Sequence, residues 1–477
     1  MPTPERQLAA EPRVPTPLDH KVNWGFLAWI ACSLVLTLGL VMVGTAWAVR
    51  HAMLSGRSLS DTQKRTVLAI AKLPTYVKDA AIELLSQLSD EPGPQLQKLT
   101  PLQITTWVRH FPEPADTGYL LYSGIDRINK QSIVELIRVS DGQSIARWIP
   151  DWNYISNNGL LTTWFSRSSM KRLIPNSPLL MPNGDIVFQT APFLIRMDIC
   201  TGKPIWKLDK SFHHSVELDS IGNIVVPAKS DLDFPVKVWS SEKWEDDSIA
   251  IVSPNGTLIQ NSSFVKILID NNLTALLFGI GGTENSGGDI IHMNQITPAL
   301  NDSDFWKKHD LLISSRHLST VFLYRPSTGK IIWHQTGPWM NQHSAEFVDD
   351  HRISVFSNNV IGRQQFDFIS QTDHNTVVVY DFRSEKTSEP FKNFLDEAKP
   401  RTKTQGRARL LPDGGLFIEE SNFGRHLRFS VDGLMWSRVN NYNSESVAVL
   451  SWSRYLTKSE AEGPIKAIKL KVCDGRE

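Results

Sequence analysis

The sequence predicts an all-β fold, a six-bladed β-propeller, preceded by a single transmembrane helix and a short helical stalk. One observation is a turn-and-strand phrase that recurs along residues 112–477. The second is an uncharged apolar run at residues 24–49, and the third is a helical pattern that follows this run. These patterns divide the chain into a disordered tail (1–23), the transmembrane helix (24–49), the stalk (50–111) and the propeller (112–477).

The recurring phrase is a turn that contains glycine, followed by a strand that usually ends in tryptophan. It reads SDGQSIARW from Ser140, CTGKPIW from Cys200, SPNGTLI from Ser253, STGKIIW from Ser327 and SVDGLMW from Ser430, with DFRSEK from Asp381 as a degenerate sixth copy. Glycine supplies the positive φ that tight hairpin turns require. Spacings of roughly 50–70 residues match a four-stranded blade with its loops. Five to seven blades are compatible with this spacing, and six fits best.

A second phrase marks further hairpins of separate blades. It reads MPNGDIV from Met181, LDSIGNIV from Leu218 and LPDGGLF from Leu411. Each copy combines a glycine turn with the start of an apolar strand, which is the pattern of a β-hairpin.

The apolar run at residues 24–49 contains 26 uncharged residues. At about 1.5 Å per residue, such a helix spans a hydrocarbon core of about 30 Å. Trp24, Trp29 and Trp47 lie near its ends, where amphipathic rings favour the headgroup region. A cleaved signal peptide is the alternative, but the run is long for its apolar region. Basic residues flank the run almost equally, so charge does not set the orientation.

The segments on either side of the run differ in composition. Residues 1–23 contain five prolines among polar residues and cannot bury a core. Residues 60–89 carry apolar residues at helical spacing, divided by Pro74. They predict either a stalk that holds the propeller off the membrane or a helical pair packed against it.

Charge and cysteine content restrict the possible functions. The formal net charge is zero and basic residues are spread along the chain, which does not indicate nucleic-acid binding. Three cysteines cannot form a disulfide scaffold. Because Cys32 lies in the apolar run, Cys200 and Cys473 are the only candidate pair, and nothing in the sequence shows that they meet.

Four polar phrases stand beside predicted strands instead of in long loops. They read SFHHS from Ser211, IHMNQ from Ile291, SSRH from Ser314 and NQHS from Asn341. The innermost strands of a propeller face a common channel, so residues far apart in sequence meet at one mouth. The sequence therefore predicts that these phrases form one site.

At these residues the chain resembles the bacterial aryl sulfotransferase family, six-bladed propeller enzymes that pass a sulfuryl group between phenols. The resemblance covers residues 179–359, with weaker agreement to about residue 436. It implies that His343 takes the sulfuryl group, while Arg316, His292, Asn294 and one of the two histidines at 213 and 214 surround the sulfate. His214 is preferred over His213. The resemblance also implies that the propeller lies on the periplasmic side of the inner membrane, which makes residues 1–23 a cytoplasmic tail.

The chain departs from the family pattern in two places. Better-known members have an extra N-terminal β domain, where this chain has an apolar run and predicted helices. An insertion at residues 299–308 is expected to alter the mouth of the site. Donor and acceptor preferences are therefore not transferred from the family.

The expected chemistry agrees with the residue types. Attack on a sulfate monoester needs an uncharged nucleophile, fixed donors around the sulfate and a proton for the departing phenol. Neutral imidazole at His343 meets the first need, Arg316 and Asn294 the second, and a second histidine the third. No metal or cofactor is required, and the absence of a GxxxxGK[ST] motif argues against a nucleotide-borne donor.

Two other classes of function are compatible with the fold. A non-catalytic, membrane-tethered propeller that serves as a binding platform would need neither His343 nor Arg316. A quinone- or calcium-dependent propeller enzyme is less favoured, because the sequence lacks a vicinal cysteine pair and a dense carboxylate cluster at strand ends. On the sequence alone, we assign structural roles to His317, His334 and His351.

Overall fold

The computed structural model describes residues 24–54, 63, 66–67, 96–98, 107–110 and 116–471, with gaps at 127, 130, 158–172, 191, 231–243, 281–287, 365–366 and 444–445. The chain forms two compact units, Met1–Leu88 and Ser89–Glu477. The predicted tail at 1–23 lies outside the described residues, as does nearly all of the helical pattern at 60–89.

In the first unit, the helix Trp24–Leu54 contains the predicted apolar run. Its apolar side chains are largely exposed, with Val35 at 72% and Val43 at 68%. Among the described residues it is the one helix long and apolar enough to cross a membrane. Its length and composition fit either a membrane anchor or a signal sequence.

The second unit is a six-bladed β-propeller built from antiparallel sheets. From the innermost strand outward, the blades are: blade 1, Arg454–Leu456, Tyr119–Ile125, Ser132–Arg138, Ser144–Trp148; blade 2, Asn176–Leu180, Ile186–Thr190, Phe193–Met197, Pro204–Asp209; blade 3, Glu217–Leu218, Ile224–Lys229, Asp247–Val252, Leu258–Ser263; blade 4, Met293–Pro298, Leu311–Ser315, Thr320–Arg325, Lys330–Thr336; blade 5, Ala345–Phe347, Arg352–Ser357, Thr376–Asp381, Lys386–Ser388; blade 6, Arg407–Leu410, Leu416–Glu420, Arg425–Ser430, Gly433–Val439. The predicted fold class is confirmed.

Both repeated phrases occupy equivalent turns. The longer phrase joins the third and fourth strands of each blade, and the shorter one joins the first and second strands of blades 2, 3 and 6. Gly202 shows why glycine is needed, because φ is +65° and an added Cβ would lie 2.3 Å from the Ile149 carbonyl oxygen. In the degenerate copy, Glu385 takes the left-handed conformation instead, at φ +56°.

The ring closes through strands from both ends of the unit. Arg454–Leu456 pairs with Tyr119–Ile125, and Trp107–Arg109 adds a fifth strand to blade 6. Apolar clusters fill the interfaces between neighbouring blades, and Leu120 and Trp436 belong to the cluster that joins blade 6 to blade 1. Closure removes the open sheet edges that would otherwise invite pairing with other chains.

Two short strands lie within the 50–111 range that the sequence assigned to a helical stalk. Leu96–Lys98 pairs with Ser446–Ala448, and Trp107–Arg109 pairs with the outer strand of blade 6. Their partners lie more than 300 residues away along the chain, so local helical spacing carries no information about these pairings.

One hairpin and several helices lie outside the blade sheets. The hairpin Val360–Gln364 and Asp367–Ser370 is inserted in blade 5. The helices among the described residues of this unit are Trp152–Asn157, Phe264–Asp270, Thr274–Ile280, Lys392–Ala398, the 3-10 helix Ser421–Phe423 and Lys458–Leu470. The last begins with a capping box between Thr457 and Glu460. Cys200 forms a disulfide bond, Cys32 is free, and Cys473 lies outside the described residues.

Candidate active site

The four polar phrases meet at one end of the propeller channel. His214, His292 and His343 each lie one to three residues before the innermost strand of blades 3, 4 and 5. Arg316 follows the second strand of blade 4, and antiparallel pairing sets Met293 opposite Ser315. Strand direction therefore brings all four side chains to the same mouth.

Five histidine rings, those of His213, His214, His292, His317 and His343, form a connected cluster there. The ring centroid of His214 lies 5.0 Å from that of His292 and 6.2 Å from that of His343. The rings of His292 and His317 are 4.6 Å apart. His214 and His292 have positive φ values of 59° and 50°, which cost about 1–3 kcal/mol each and are concentrated at functional sites in proteins.

His343 is buried and held in one tautomer. The Asn358 amide nitrogen donates to the carbonyls of Thr402 and Gln405 at 3.0 and 2.9 Å, which turns its oxygen toward His343. That oxygen lies 2.6 Å from Nδ1, so Nδ1 carries the proton. Nε2 then has the lone pair, and it accepts from the Gln405 backbone N–H at 2.8 Å. Burial and the Arg316 charge hold the pKa of His343 well below its usual range, so the ring is neutral.

Arg316 is oriented by a histidine that sequence reasoning did not select. Its Nη1 donates to His317 Nε2 at 2.8 Å, and His317 Nδ1 donates to the Asp289 carbonyl. Burial lowers the pKa of His317 to about 4 and that of Arg316 to about 10, so at neutral pH the histidine is neutral and the arginine is charged. His317 therefore holds the Arg316 side chain in place. The adjacency of arginine and histidine in SSRH was its only signal.

The two remaining candidates occupy supporting positions. His213 lies behind His214, with a 2.9 Å contact between their Nδ1 atoms, and its Nε2 is 3.3 Å from Asp247 Oδ1. The His214 ring, in turn, contacts the rings of His292, His343 and Trp452. Asn294 is fully buried, and its amide nitrogen donates to the Gln342 carbonyl at 2.9 Å. Asn294 thus fastens the segment that leads into His343.

An acidic pair and a lysine border the cluster. Lys229 Nζ lies 2.8 Å from Asp247 Oδ1 and 3.6 Å from Asp289 Oδ1, while His292 Nδ1 contacts Asp289 Oδ2 at 2.6 Å. Ligand atoms of Asp289, His292 and His317 lie within 4.8 Å of one another, as in a metal site. However, both nitrogens of His317 are engaged in hydrogen bonds, and Lys229 and Arg316 add positive charge. The two hydrogen bonds of His317 and the Arg316 charge disfavour a divalent cation at this group.

The floor of the site is Trp452. Its ring centroid lies 6.2 Å from that of His214 and 6.3 Å from that of His343. The side chain is fully buried and φ is +60°, which is a strained conformation for a bulky residue. Nothing in the local sequence marked this residue.

Fold and site together define a propeller protein with a buried histidine cluster beside an arginine at one end of its channel. A family model described as Arylsulfotransferase (ASST) matches residues 199–441, just over half of the 477-residue chain. The chain belongs to this family. His214, His292, Asn294, Arg316 and His343 lie inside the matched range, whereas Trp452 lies beyond it.

Similarity to individual known proteins is weak. No curated protein matches the chain. Among solved structures, a protein of unknown function from Bacteroides caccae is 14% identical with a TM-score of 0.43, covering 72% of this chain and 99% of that one. The periplasmic gluconolactonase PpgL of Pseudomonas aeruginosa is 12% identical with a TM-score of 0.36, covering 71% and 99% respectively. The fold and family assignments rest on the sheet topology and the family match.

Proposed function

We propose that the protein transfers a sulfuryl group from an aryl sulfate ester to a phenolic or other hydroxyl acceptor, without a nucleotide donor. Family membership supports an arylsulfotransferase activity in general. The observation that carries the finer proposal is a neutral His343 of fixed tautomer in the same buried cluster as a charged Arg316. A neutral nucleophile and a cation at the transferred group are the two needs of this reaction.

In the proposed first step, the lone pair of His343 Nε2 attacks sulfur, and the bond from sulfur to the phenol oxygen breaks. The electron pair leaves with that oxygen, which takes a proton from His292. Positive charge then develops on the His343 ring, and the Asn358 oxygen at Nδ1 stabilises it. In the second step, the acceptor hydroxyl gives its proton to His292 and its oxygen attacks sulfur. The bond from sulfur to Nε2 breaks, and the electron pair returns to Nε2, which restores neutral His343 and protonated His292.

The attacking nitrogen must first exchange a hydrogen bond. His343 Nε2 accepts from Gln405 N–H, so the donor sulfate has to displace this amide. Gln405 and Lys399 both have positive φ, at 59° and 45°, and lie in the segment that joins blades 5 and 6. Once displaced, the amide is available as a donor to a sulfuryl oxygen. Binding of the donor and exposure of the nucleophile are therefore coupled.

The test is to offer purified full-length protein an aryl sulfate with and without phenol. We expect phenol-dependent release of 4-nitrophenol from 4-nitrophenyl sulfate, with the parallel double-reciprocal plots of ping-pong kinetics. His292→Ala should slow turnover of phenyl sulfate much more than turnover of 4-nitrophenyl sulfate. The reason is that 4-nitrophenol is acidic enough to leave as its anion, without a proton from His292. Release of 4-nitrophenol at the same rate with and without phenol would contradict transferase activity.

We also propose that helix Trp24–Leu54 is retained as a single-pass anchor in the inner membrane, with the propeller in the periplasm. The disulfide bond at Cys200 supports this side, because disulfides persist in oxidising compartments. Alkaline phosphatase fused after Glu477 should be active, and a reporter that works only in the cytoplasm should be silent there. The opposite pattern would place the propeller in the cytoplasm.

A further inference from the structure

A second cavity lies at the other end of the channel, away from the histidine cluster. The innermost strands run from the cluster toward this cavity, which is lined at their far ends by Leu180, Leu218, Pro298 and Phe347. Its volume is about 670 Å³, within the range of roughly 300–1,000 Å³ typical of small-molecule sites. The insertion at 299–308 lines this cavity, so it alters the opposite mouth from the one that the sequence suggested.

The cavity is separated from the active site along the propeller axis. The Trp452 ring faces His214 and His343 on the active-site side, and the guanidinium carbon of Arg407 lies 5.8 Å from its centroid. Arg407 in turn lines the second cavity. Trp452 and Arg407 therefore form a partition between the two sites.

The floor of the cavity holds buried hydrogen-bond donors that lack partners. Arg407 is 4% exposed and Gln295 is fully buried, yet Arg407 Nη1 and Gln295 Nε2 have no hydrogen-bond partner among the described residues. An unsatisfied buried donor costs about 1–3 kcal/mol. Both unpartnered atoms of the cavity lining are donors, so the missing group is an acceptor.

The surrounding charges limit the negative charge of that acceptor. Arg407 pairs with Glu346 at 2.6 Å, and Arg454 pairs with Glu217 at 2.8 Å. Glu217 also lies 3.8 Å from Arg407. Arg409, the third arginine of the lining, pairs with Glu460 at 2.6 Å. These carboxylates already neutralise the three guanidinium groups and would repel a multiply charged anion, whereas a single charge can use the free Arg407 N–H.

The walls above this floor are mostly apolar. Leu179, Leu218, Pro298, Trp306 and Phe347 line the cavity. At its rim, Asp349 and Asp350 are engaged by Arg352 at 2.6 Å and Arg383 at 2.9 Å. The walls can therefore contact the apolar part of a ligand. Asp349 and Asp350 are both paired with arginines, so neither is available to bind a cation.

We propose that this cavity is a second small-molecule site, which binds an organic monoanion with its head group on Arg407 and Gln295 and its apolar body against Trp306 and Phe347. The site is independent of the sulfuryl-transfer chemistry. Its ligand class is a carboxylate or similar monoanion on an aliphatic or aromatic body.

Calorimetric titration of the full-length protein with octanoate tests this site, with octylammonium as the matched cation. We expect one octanoate per chain and no octylammonium binding. Arg407→Lys keeps a positive charge beside Glu346 but removes the second N–H arm, and it should weaken octanoate about tenfold or more. Val348→Trp should block the cavity, while leaving turnover of 4-nitrophenyl sulfate unchanged.

Two further variants distinguish this site from the active site and from misfolding. Gln295→Met removes the amide donor without touching an ion pair, and it should also weaken octanoate. Arg316→Lys should leave octanoate affinity unchanged. The proposal is overturned if octanoate does not bind, if octylammonium binds as well, or if Arg316→Lys abolishes binding while Val348→Trp does not. None of these outcomes depends on whether the protein transfers sulfate.

Discussion

Replacing His343 by alanine is expected to abolish sulfuryl transfer. The loss should be on the scale of ~10⁴–10⁶-fold that follows removal of a catalytic nucleophile. The proposed reaction passes through a covalent sulfohistidine, so donor supplied without acceptor should add one sulfuryl group to the wild-type protein and none to His343→Ala. Intact-protein mass spectrometry measures the adduct, and release of 4-nitrophenol measures turnover.

The matched control is His334→Ala, because His334 lies on the exposed outer strand of blade 4 and takes no part in the cluster. It should retain both adduct and activity. Circular dichroism and a thermal melt should show that His343→Ala is folded. His214 is the most informative neighbour, since its ring lies 6.2 Å from that of His343. An adduct that survives in His343→Ala and maps to His214 would move the nucleophile to that residue.

Arg316→Ala is expected to lower kcat by about 10²–10³-fold, the scale for loss of one fixed donor to developing charge. Arg316 is 9% exposed, so its charge acts in a site from which water is largely excluded. Its guanidinium is held in place by His317, so little reorganisation is needed when the sulfuryl group moves. Steady-state kinetics of the purified variant, with kcat and KM determined separately, measures this effect.

Arg316→Lys separates charge from geometry, because the ammonium keeps the charge but cannot reproduce the planar fork. It should recover only part of the lost rate. Arg383→Ala is the control, since that side chain is 54% exposed and pairs with Asp350 far from the cluster. A variant whose KM rises while kcat stays normal would show that Arg316 binds ground state and transition state equally.

The repeated phrases allowed the fold to be predicted because turn chemistry is local. Glycine supplies the positive φ of the turn in five of the six copies of the longer phrase, and each copy marks one blade. The polar phrases could be assigned to one mouth for a related reason. Strands that are equivalent in successive blades point the same way, so residues just before them meet.

Other parts of the site depended on contacts between distant segments. Asn358 sets the tautomer of His343, and Gln405 occupies its lone pair from 62 residues away. Trp452 closes the floor from beyond the family match. None of these residues belongs to a motif, because a hydrogen bond or ring contact across the channel leaves no regular spacing in the chain.

By itself, the sequence determined the propeller class with six as the best-fitting number of blades, the apolar N-terminal helix and the group of histidines with Arg316. Each depends on composition or on a repeat within one stretch of chain. Only the tertiary structure decided how the ring closes, which of His213 and His214 lies at the centre, and at which mouth residues 299–308 lie. Strand pairing and side-chain packing join residues hundreds of positions apart, and their energy depends on distances in space that no local pattern records.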